Sequence, residues 1–528
     1  MSTDPESSSA CASTPLYIGD HARLAPDKPA VIHGPSGKLI TYRELDERSN
    51  RLAHYLFSLG LRRGDRFAIL MENNLRYLEV CWAAMRSGLL LTPVNRFLTA
   101  DETRYILQDS DARVVVSSYA MRELAGAVQG GGRVLGHLMV DGTIDGWDSY
   151  EQTLARYPAQ PLEEQWLGGT MLYSSGTTGR PKGVIRAQPP GKVTDGMPQR
   201  ERMKTYAFSA DMVYLSPAPL YHAAPLGFCV NVQFFGGTVV IMDKFDASTS
   251  LAMIERYRIT HSQWVPTMFV RMLKLSSEER ARHDLSSHRV AIHAAAPCPP
   301  EVKRRMIDWW GPILIEYYGG SEGNGVTAIT SAQWLAHPGS VGVATMGVLH
   351  ICDEAGDEVP AGQTGLVYFE RDELPFRYHN DPGKTKAAQN PQHPTWTTLG
   401  DVGHVDADGY LYLTDRQSFM IISGGVNIYP QIVEDALALH PKVGDSAVIG
   451  VPSDEMGEEV KAVIEPAVGV TPSAELAAEL LAFLRDRVAR YMVPKSIDFT
   501  DALPRLPTGK LQKRVLRERY WPAKSSQP

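Results

Sequence analysis

Apolar residues follow two different periods along the chain, and each period predicts its own kind of element. After Thr41, leucines recur at helical spacing; the capping box Thr41-Tyr-Arg-Glu44 opens this helix and Gly60 ends it. Short apolar runs predict buried strands over residues 66–70, 89–91, 114–116, 213–216, 238–241 and 289–293. Helical patterns lie between some of them, over residues 77–87, 248–257 and 300–309. Strands that alternate with helices predict an α/β fold with mostly parallel sheets.

The pattern changes after residue 415, where we expect a second, smaller α+β unit. Its predicted elements are a helix over 431–439, strands over 446–450 and 460–465, and a long amphipathic helix over 474–490. We therefore expect a disordered tail over residues 1–14, a large N-terminal domain of layered sheets and helices over 15–415, and a small C-terminal domain over 416–528.

Composition narrows the functional classes without selecting one. Of 528 residues, 43% are hydrophobic and 21% charged, which excludes a wholly disordered chain. The net charge of −7 is spread along the chain and gives no indication of a nucleic acid or an anionic membrane as a partner. Five scattered cysteines favour a reducing compartment, and residues 1–14 lack the basic and apolar regions of a secretory signal. Because no run of 18 apolar residues occurs either, we expect a cytoplasmic protein.

The most informative segment is the run Tyr173-Ser-Ser-Gly-Thr-Thr-Gly-Arg-Pro-Lys-Gly-Val184. Its glycines allow tight turns that present backbone N–H groups inward, its hydroxyls add donors, and Lys182 adds a full charge. Such a loop suits a polyphosphate, although its spacing differs from the Walker A pattern. The alternative is a flexible surface loop rich in serine, threonine and glycine. The density of hydroxyls and glycines around one lysine favours the phosphate loop.

With this loop the chain resembles the adenylate-forming superfamily of acyl-CoA synthetases, peptide-synthetase adenylation domains and luciferases, and it is most similar to the stand-alone acyl-CoA synthetases. The resemblance runs from about residue 17 to residue 519, with further family motifs in the expected order. It implies a ligase that uses ATP and Mg²⁺ to join a carboxylate to the α-phosphate, releasing pyrophosphate. A thiol, here expected to be that of CoA, then displaces AMP. The resemblance also implies that the C-terminal domain is a mobile lid.

The resemblance assigns most of the matching residues to the nucleotide. A carboxylate that approaches a triphosphate meets like charge, so the site needs cations and aimed dipoles. Glu322, in the run Tyr317-Tyr-Gly-Gly-Ser-Glu-Gly323, would ligate Mg²⁺. Tyr318 would stack on adenine, and Asp401 would accept from the ribose hydroxyls. The full set of implied ATP or AMP contacts is Ser174, Ser175, Gly176, Thr177, Thr178, Gly179, Lys182, Ala295, Ala296, Pro297, Tyr318, Gly319, Ser321, Asp401, Arg416 and Lys510.

Two of these positions depart from the family pattern. Ser321 stands at the family's usual threonine, where a hydroxyl would reach the α-phosphate or the acyl carboxylate. Many relatives carry glycine in the adenine stretch 294–297, where this chain has Ala-Ala-Ala-Pro.

Four residues are implied in catalysis: Lys510, Glu322, His222 and Thr178. Lys510, in Leu506-Pro-Thr-Gly-Lys510, would reach the α-phosphate and the carboxylate as negative charge builds. His222, in Tyr221-His-Ala-Ala-Pro225, would bond the carboxylate of the acid or gate its pocket, although a lone histidine is more often structural.

A glycine pair in Ser423-Gly-Gly-Val-Asn-Ile-Tyr-Pro430 would line the CoA channel. Gly424 and Gly425 allow the backbone to approach the thin pantetheine arm closely. The implied hinge, near residues 416–418, departs from the family pattern. Ser418 stands two residues after Arg416, where many relatives carry Asp or Lys.

The acid is less defined. By resemblance its pocket would include His222, Ala223, Gly227, Val265, Gly319, Gly320 and Gly325. Small side chains leave volume, so we expect a bulky or extended hydrophobic acid of the fatty, aryl or polycyclic kind. Asp246 is not placed like a ligand of an amino-acid ammonium group, which disfavours α-amino acids. A carrier protein stays open as the acyl acceptor, and the oligomeric state stays open, a homodimer included.

A serine hydrolase is the rival hypothesis from another class. Gly319-Gly-Ser-Glu-Gly323 matches the G-x-S-x-G nucleophile elbow, which would make Ser321 a nucleophile. An elbow requires a strand before the serine and a helix directly after it. Residues 313–317 suit the strand, but residues 324–327 predict no helix.

Overall fold

A computed structural model describes residues 16–129, 133–174, 181–198, 200–416, 419–424, 426–453, 455–505 and 511–521. The tail expected over residues 1–14 lies outside these ranges. Up to residue 416 the helices are α1 (Ile18–Leu24), α2 (Tyr42–Ser58), α3 (Tyr77–Ser87), α4 (Ala100–Asp109), α5 (Arg122–Ala127), α6 (Tyr150–Leu154), α7 (Ala223–Phe234), α8 (Ala247–Arg256), α9 (Pro266–Leu273), α10 (Ser277–Ala281), α11 (Pro300–Trp310), α12 (Ser331–Ala336) and α13 (Pro382–Ala387).

The strands of the same part form four sheets. They are β1 (Pro29–His33), β2 (Leu39–Thr41), β3 (Arg66–Leu70), β4 (Leu90–Pro93), β5 (Val114–Ser118), β6 (Gly136–Val140), β7 (Asp148–Ser149), β8 (Gly169–Thr170), β9 (Leu172–Ser174), β10 (Lys182–Arg186), β11 (Val213–Ser216), β12 (Thr238–Ile241), β13 (His261–Trp264), β14 (Val290–His293), β15 (Leu314–Gly319), β16 (Val326–Thr330), β17 (Val343–Met346), β18 (Val348–Cys352), β19 (Gly365–Glu370), β20 (Phe376–Tyr378), β21 (Trp396–Val405) and β22 (Leu411–Arg416).

Two large sheets form the core. Among the described strands, the first sheet has the order β17-β16-β15-β14-β13-β11-β12-β1-β2 and the second has the order β7-β6-β5-β3-β4-β8. All pairings of the second sheet are parallel, and so are those of the first from β1 through to β15. Parallel strands need crossover connections, which the intervening helices supply. The mostly parallel α/β architecture predicted from the sequence is confirmed.

Two smaller sheets are antiparallel. One has the order β20-β10-β9, and the other has the order β18-β19-β21-β22. β9 and β10 flank the glycine-rich loop, and Lys182 lies opposite Ser174 in their pairing. The pairing therefore brings the two ends of the loop together.

Local signals fix the helix α2. The Thr41 hydroxyl accepts from the Glu44 backbone N–H, and the Glu44 carboxylate accepts from the Thr41 N–H at 2.8 Å. Leu45 and Leu52 are fully buried on its inner face, and Gly60 takes the left-handed φ of +81° just past its end. The predicted capping box and glycine stop are therefore confirmed.

After residue 416 the described chain forms a further sheet with three helices. Its elements are β23 (Ile421–Ser423), β24 (Val426–Ile428), α14 (Pro430–Ala438), β25 (Val443–Ser453), β26 (Gly457–Pro466), α15 (Ala474–Arg485), β27 (Ser496–Phe499) and α16 (Lys513–Tyr520). The sheet order is β24-β23-β26-β25, with β27 parallel to β26. Its core is separate from those of the large sheets and includes Val448, Ala462 and Leu480.

The helix α15 ends at Arg485, short of the predicted end at residue 490. A 3₁₀ turn, Arg490–Met492, and then Pro494 follow it. The N–H groups of Arg487 and Val488 share the Leu484 carbonyl, and this tightened last turn ends the helix despite the amphipathic pattern. Within the described ranges, no helix is both long and apolar enough to cross a bilayer.

Candidate active site

Four predicted site segments follow neighbouring strands of the first sheet. β11, β13, β14 and β15 are parallel neighbours, so their carboxyl ends share one edge. His222 comes after β11 and Val265 after β13, while residues 295–297 and 321–322 come after β14 and β15. Ligands of parallel α/β sheets bind at this edge. The topology thus brings together motifs that long stretches of chain separate.

Tyr318 and Asp401 meet between two sheets. The Tyr318 hydroxyl donates to Asp401 Oδ2 at 2.6 Å, and Asp401 is only 6% exposed. In the pairing of β21 with β22, Asp401 lies opposite Arg416. The residues that the resemblance assigns to adenine and ribose are therefore in direct contact.

A tyrosine outside every motif holds Glu322. The Tyr378 hydroxyl donates to Glu322 Oε1 at 3.0 Å, and the Lys182 ammonium lies 5.9 Å from the centre of the Tyr378 ring. Tyr378 lies directly opposite Val184 in the antiparallel pairing of β20 with β10. Because side chains alternate along a strand, Lys182, Val184 and Tyr378 share one face. That face connects the lysine of the glycine-rich segment with the carboxylate of Glu322.

Arg186 extends the same face towards the loop after β15. Its Nε donates to the Ser321 carbonyl at 2.9 Å, and its Nη2 donates to the same oxygen. The carboxylate of Glu322 is close enough to act on its charge. These bonds fix the backbone directly before Glu322.

Ala295 has a backbone conformation that favours glycine. Its φ is +78°, and residues 295–297 are exposed at the edge of the sheet. A left-handed conformation costs a residue with a Cβ roughly 1–2 kcal/mol, and such strain concentrates at ligand sites. Ala295 thus holds a left-handed conformation within the stretch that the resemblance assigns to adenine.

The helix α7 presents an open strip next to this edge. His222 precedes the helix, with its ring 4.2 Å from that of Tyr221. Ala223, Gly227 and Asn231 are half-buried and lie four residues apart, on one side of the helix. A Cβ added at Gly227 would meet no atom within 4 Å. The space beside Gly227 is therefore open.

The volume expected at Gly319, Gly320 and Gly325 is already filled. A Cβ at Gly320 would overlap Leu399, and one at Gly325 would overlap the ring of Phe369. At residue 319 the backbone carbonyl of residue 325 would lie 3.0 Å away. These glycines permit close packing rather than leaving space. The structure therefore leaves space beside Gly227 and none at these three glycines, and the membership of all four in an acid pocket stays a prediction.

Four aromatic side chains stand beside the strip on α7. Tyr206 and Phe228 have ring centroids 5.4 Å apart, and Phe228 and Tyr317 have centroids 5.7 Å apart. Phe208 adjoins Tyr206 at 6.2 Å. We call Tyr206, Phe208, Phe228 and Tyr317 the aromatic wall. Tyr206, Phe208 and Phe228 are buried in the core, and Tyr317 is the half-buried member of the wall.

Gly424 forms the turn between β23 and β24. Its φ is +56°, and its N–H donates to the Met456 carbonyl at 2.8 Å. The turn therefore favours glycine for its backbone conformation, independently of any ligand.

The C-terminal part contacts α9 through Lys274. The Lys274 ammonium donates to the carbonyls of residues 443–444 at 3.0 Å. The next residue, Asp445, accepts from Arg505 Nη2 at 2.6 Å, and Arg505 pairs with Leu511 in a short bridge. That bridge joins the two described residues on either side of the segment 506–510, which contains Lys510.

Several predicted residues lie outside the described ranges. They are Ser175, Gly176, Thr177, Thr178, Gly179, Ser418, Gly425 and Lys510. For Ser174 and Arg416 the backbone is described, in β9 and β22. The roles expected of these residues stay predictions.

Comparison with known proteins identifies the family. The profile of the AMP-binding enzyme family matches residues 19–376, and that of the AMP-binding enzyme C-terminal domain matches residues 432–510. This chain belongs to the AMP-binding enzyme family. Feruloyl-CoA synthase of an Amycolatopsis species is 36% identical to this AMP-binding enzyme over 94% of its chain and 97% of the relative. The fatty acid–[acyl-carrier-protein] ligase ScoC of Streptomyces coeruleorubidus is 30% identical, covering 95% of both chains.

A solved structure shows the same fold. ATP-bound MatB from Rhodopseudomonas palustris superposes on this AMP-binding enzyme with a TM-score of 0.79, at 30% identity, over 96% of this chain and 99% of MatB. AMP-binding enzymes are ATP-dependent acid–thiol ligases, and this chain is one of them. The family uses ATP with Mg²⁺ and a thiol acceptor.

The hydrolase hypothesis for Ser321 has no support in this AMP-binding enzyme. The strand β16, rather than a helix, follows the serine loop, so the geometry of a nucleophile elbow is missing from this described segment. The Ser321 carbonyl instead anchors Arg186.

The sequence analysis missed two side chains of the site, Arg186 and Tyr378, and a third, Arg202, that lies within electrostatic reach of Arg186. Arg186 carried a usable signal, because it lies four residues after Lys182 on a strand and so shares its face. Tyr378 and Arg202 carried none, since neither belongs to a motif. Arg202, in the 3₁₀ segment Arg200–Tyr206, donates from Nη1 to Met346 Sδ at 2.9 Å.

Proposed function

We propose that this AMP-binding enzyme is an ATP-dependent carboxylic acid–CoA ligase. The acid attacks the α-phosphate of ATP, which gives an acyl-adenylate and pyrophosphate, and the thiol of CoA then displaces AMP. The arrangement around the loop after β15 carries this proposal. Tyr318 bonds Asp401 on one side of that loop, and Glu322 bonds Tyr378 beside Lys182 on the other. A nucleoside site and a phosphate site thus adjoin each other.

The residues present fit ATP and Mg²⁺. Asp401 lies beside the ring of Tyr318, as ribose and adenine recognition requires. Glu322 is an almost buried carboxylate with one oxygen held by Tyr378, and a single carboxylate with phosphate oxygens and waters suits Mg²⁺. Bound Mg²⁺ would neutralise phosphate charge. Lys182 and the loop 174–179 would hold the β- and γ-phosphates, with Thr178 among the donors.

The adenine stretch and the C-terminal residues complete the proposed site. Ala295, Ala296 and Pro297 would contact adenine, and Arg416 would donate to the ribose. His222, at the open strip of α7, would bond the carboxylate of the acid. Lys510 would stabilise the charge that develops between that carboxylate and the α-phosphate.

The C-terminal part would act as a lid over both half-reactions. We propose domains over residues 15–415 and 416–528, with a hinge at 416–418 and the pair Gly424–Gly425 beside the pantetheine arm. The contact of Lys274 with residues 443–444 supports a docked lid. It joins the end of α9, which follows the acid-site residue Val265, to the residues next to Asp445, the partner of Arg505.

The acid would be bulky or extended, with a hydrophobic body. The open space at Gly227 supports this proposal, and so does the half-buried ring of Tyr317, which adjoins Phe228 of α7. An amino-acid substrate has no support, because Asp246 caps α8 by accepting from the Thr249 N–H at 2.8 Å. The name of the Amycolatopsis relative favours an aryl acid. The cysteines Cys81, Cys229, Cys298 and Cys352 are free, which suits the proposed cytoplasmic location.

A carrier protein is the second candidate acceptor. One relative, 30% identical, is named as a ligase of fatty acids to an acyl carrier protein. Both acceptors share the adenylation half-reaction, so they differ only in the thiol that removes the acyl group.

Acid-dependent ATP–pyrophosphate exchange tests adenylation directly. We expect exchange with members of a panel of fatty, aryl and polycyclic acids, and its loss in Lys510→Ala but not in the exposed control Lys495→Ala. Thioester formation with CoA, and not with a loaded carrier protein, supports the CoA ligase; the reverse supports the second candidate. Exchange that persists in Lys510→Ala contradicts the assigned role of that lysine, and no exchange with any acid contradicts the adenylation proposal.

A further inference from the structure

Three guanidinium groups converge near the loop after β15. Arg186 donates to the Ser321 carbonyl, and Arg371 Nη1 donates to the Gly323 carbonyl at 3.4 Å. Arg202 lies within electrostatic reach of both arginines. In the described part of the chain, none of the three arginines forms an ion pair with a carboxylate.

Hydrogen bonds to the backbone of the loop after β15 account for the positions of Arg186 and Arg371 but not for that of Arg202. Arg186 and Arg371 bond backbone carbonyls and so hold the loop in place. The hydrogen bond that the structure gives Arg202 goes to Met346 Sδ, at 2.9 Å. A guanidinium carries five N–H donors, and a thioether is a weak acceptor. Arg202 is half-buried and therefore still accessible to a ligand.

The acid is proposed to lie along the open strip of α7, and we call this path the groove; Arg202 lies near its Asn231 end. The phenol groups of Tyr206 and Tyr317, both in the aromatic wall, act on its charge. Its chain neighbour Met203 contacts Asn231 Nδ2 through its sulfur at 3.6 Å. Asn231 ends the open strip of α7, about 12 Å along the helix from its first residue at 1.5 Å per residue. The arginine is therefore remote from the start of the strip, where the reacting carboxylate is proposed to bind.

The charges at this end of the groove are not balanced by the described residues. The carboxylate that acts on Arg186 belongs to Glu322, which the proposed function assigns to Mg²⁺. The reacting carboxylate of the acid is used at the opposite end. Neighbouring like charges repel, and an anion placed among them relieves that repulsion. An anionic group of the ligand would supply the balancing charge.

We propose that the acid carries a second anionic oxygen group, in the simplest case a carboxylate, and that Arg202 binds it at the far end of the groove. The proposal rests on the proposed function, since it takes the same groove as the acid site. Tyr317, the half-buried member of the aromatic wall, packs against the body of the acid. The substrate class is thus an extended aryl or polycyclic dicarboxylic acid rather than a simple hydrophobic acid.

Matched pairs of acids test this specificity. The pairs are 4-carboxycinnamate with 4-methylcinnamate and octanedioate with octanoate, each assayed for kcat/KM in acid-dependent pyrophosphate exchange. A bond between charged groups in a site of this kind is worth about tenfold or more in preference for the dianion. We expect that preference in the wild type and its loss in Arg202→Met. The control Lys204→Met, an exposed lysine of the same segment, should keep it.

Chemical protection gives a readout that does not depend on turnover. Phenylglyoxal modifies accessible arginines, and mass spectrometry of peptides reports the rate at Arg202. We expect 4-carboxycinnamate to slow that modification. Its monomethyl ester at the ring carboxyl group, which lacks the second carboxylate, should leave the rate unchanged. Equal protection by both, or an unchanged acid preference in Arg202→Met, overturns the proposal. Exchange restricted to acids with one carboxylate overturns it too, while leaving the proposed ligase intact.

Discussion

Two clusters of charged side chains near β15 have opposite surroundings. Lys303, on α11, is fully buried and bonds the buried Glu316 at 2.5 Å. Arg202, on the other side of the same strand region, is half-buried beside two further arginines and bonds a thioether. The pair of Lys303 and Glu316 is buried, and its charges balance. The cluster around Arg202 is partly exposed and has more positive than negative charge.

The difference separates a structural role from a ligand role. Burial raises the pKa of Glu316, and the neighbouring Lys303 opposes that shift. Burial and the charge of Lys303 together hold the pKa of His293 well below its ordinary value, so this ring stays neutral beside the pair. Lys303 and Glu316 satisfy each other, and no ligand is needed. At Arg202 the partner is missing from the described protein, which is the arrangement that an anionic ligand completes.

Breaking the closed pair should have the largest effect. Lys303→Met leaves Glu316 buried without its partner, and we expect the free energy of unfolding to fall by about 3–5 kcal/mol. Thermal and urea unfolding measure the loss. The double variant Lys303→Met/Glu316→Leu removes both charges and should recover most of the stability. A single variant that unfolds like the wild type contradicts the structural role assigned to the pair.

The cluster of Glu79, Arg76 and Arg48 shows that burial can shift the pKa of a carboxyl group more than nearby arginines do. Glu79 is fully buried, 3.3 Å from Arg76 and 4.0 Å from Arg48, and burial raises its pKa from 4.5 to about 8. The folded state then binds a proton that the unfolded state has lost between these two values. Stability should therefore fall as the pH rises from about 5 to 8, by up to about 1.4 kcal/mol per pH unit from this group.

Glu79→Gln tests the pH dependence. The variant keeps the shape of the side chain and cannot titrate, so its urea midpoint should vary less between pH 5 and 8 than that of the wild type. Glu151→Gln, an exposed acid in the same neighbourhood, serves as the control. Identical slopes in the wild type and Glu79→Gln would mean that Glu79 is ionised in the folded state throughout this range.

The phosphate side of the site depends on a hydroxyl rather than on charge pairing. Tyr378→Phe keeps the ring near Lys182 but removes the donor to Glu322. A hydrogen bond to a charged group is worth about 1.5–3 kcal/mol, so we expect roughly tenfold or more loss in kcat/KM for MgATP. The half-saturating Mg²⁺ concentration in pyrophosphate exchange should rise, while the preference between acids stays unchanged. Tyr410→Phe, directly before β22, is the control. A shifted acid preference in Tyr378→Phe would contradict the assignment of Tyr378 to the phosphate side of the site.

The sequence predicted the fold well where a signal is local. The strand over residues 66–70 and the helix over 77–87 are observed as β3 and α3 with the predicted bounds, because apolar runs and their flanking residues suffice to define them. The order of parallel strands likewise explains why His222 and Glu322 meet at one edge. The capping box of α2 acts within four residues, and it was predictable for the same reason.

The remainder depended on residues far apart in the chain. Gly325 looked like a source of volume, but Phe369 fills the space from β19. Tyr378 reaches Glu322 only because β20 pairs with β10, and no property of the run Phe376–Tyr378 reveals that pairing. Arg202 needed the packing of the 3₁₀ segment against Tyr317 to be recognised. Composition and spacing do not contain such tertiary contacts.

Substitution of Arg202 should have the smallest effect on stability. Arg202→Met takes away one positive charge near Arg371 and breaks no ion pair of the described chain, so its weak bond to Met346 is the main loss. We expect the free energy of unfolding of the ligand-free enzyme to change by no more than about 0.5 kcal/mol. Lys303→Met, measured side by side, supplies the contrast. Destabilisation of Arg202→Met on the scale of Lys303→Met would mean that the arginine has a partner within the protein and is not reserved for an anionic ligand.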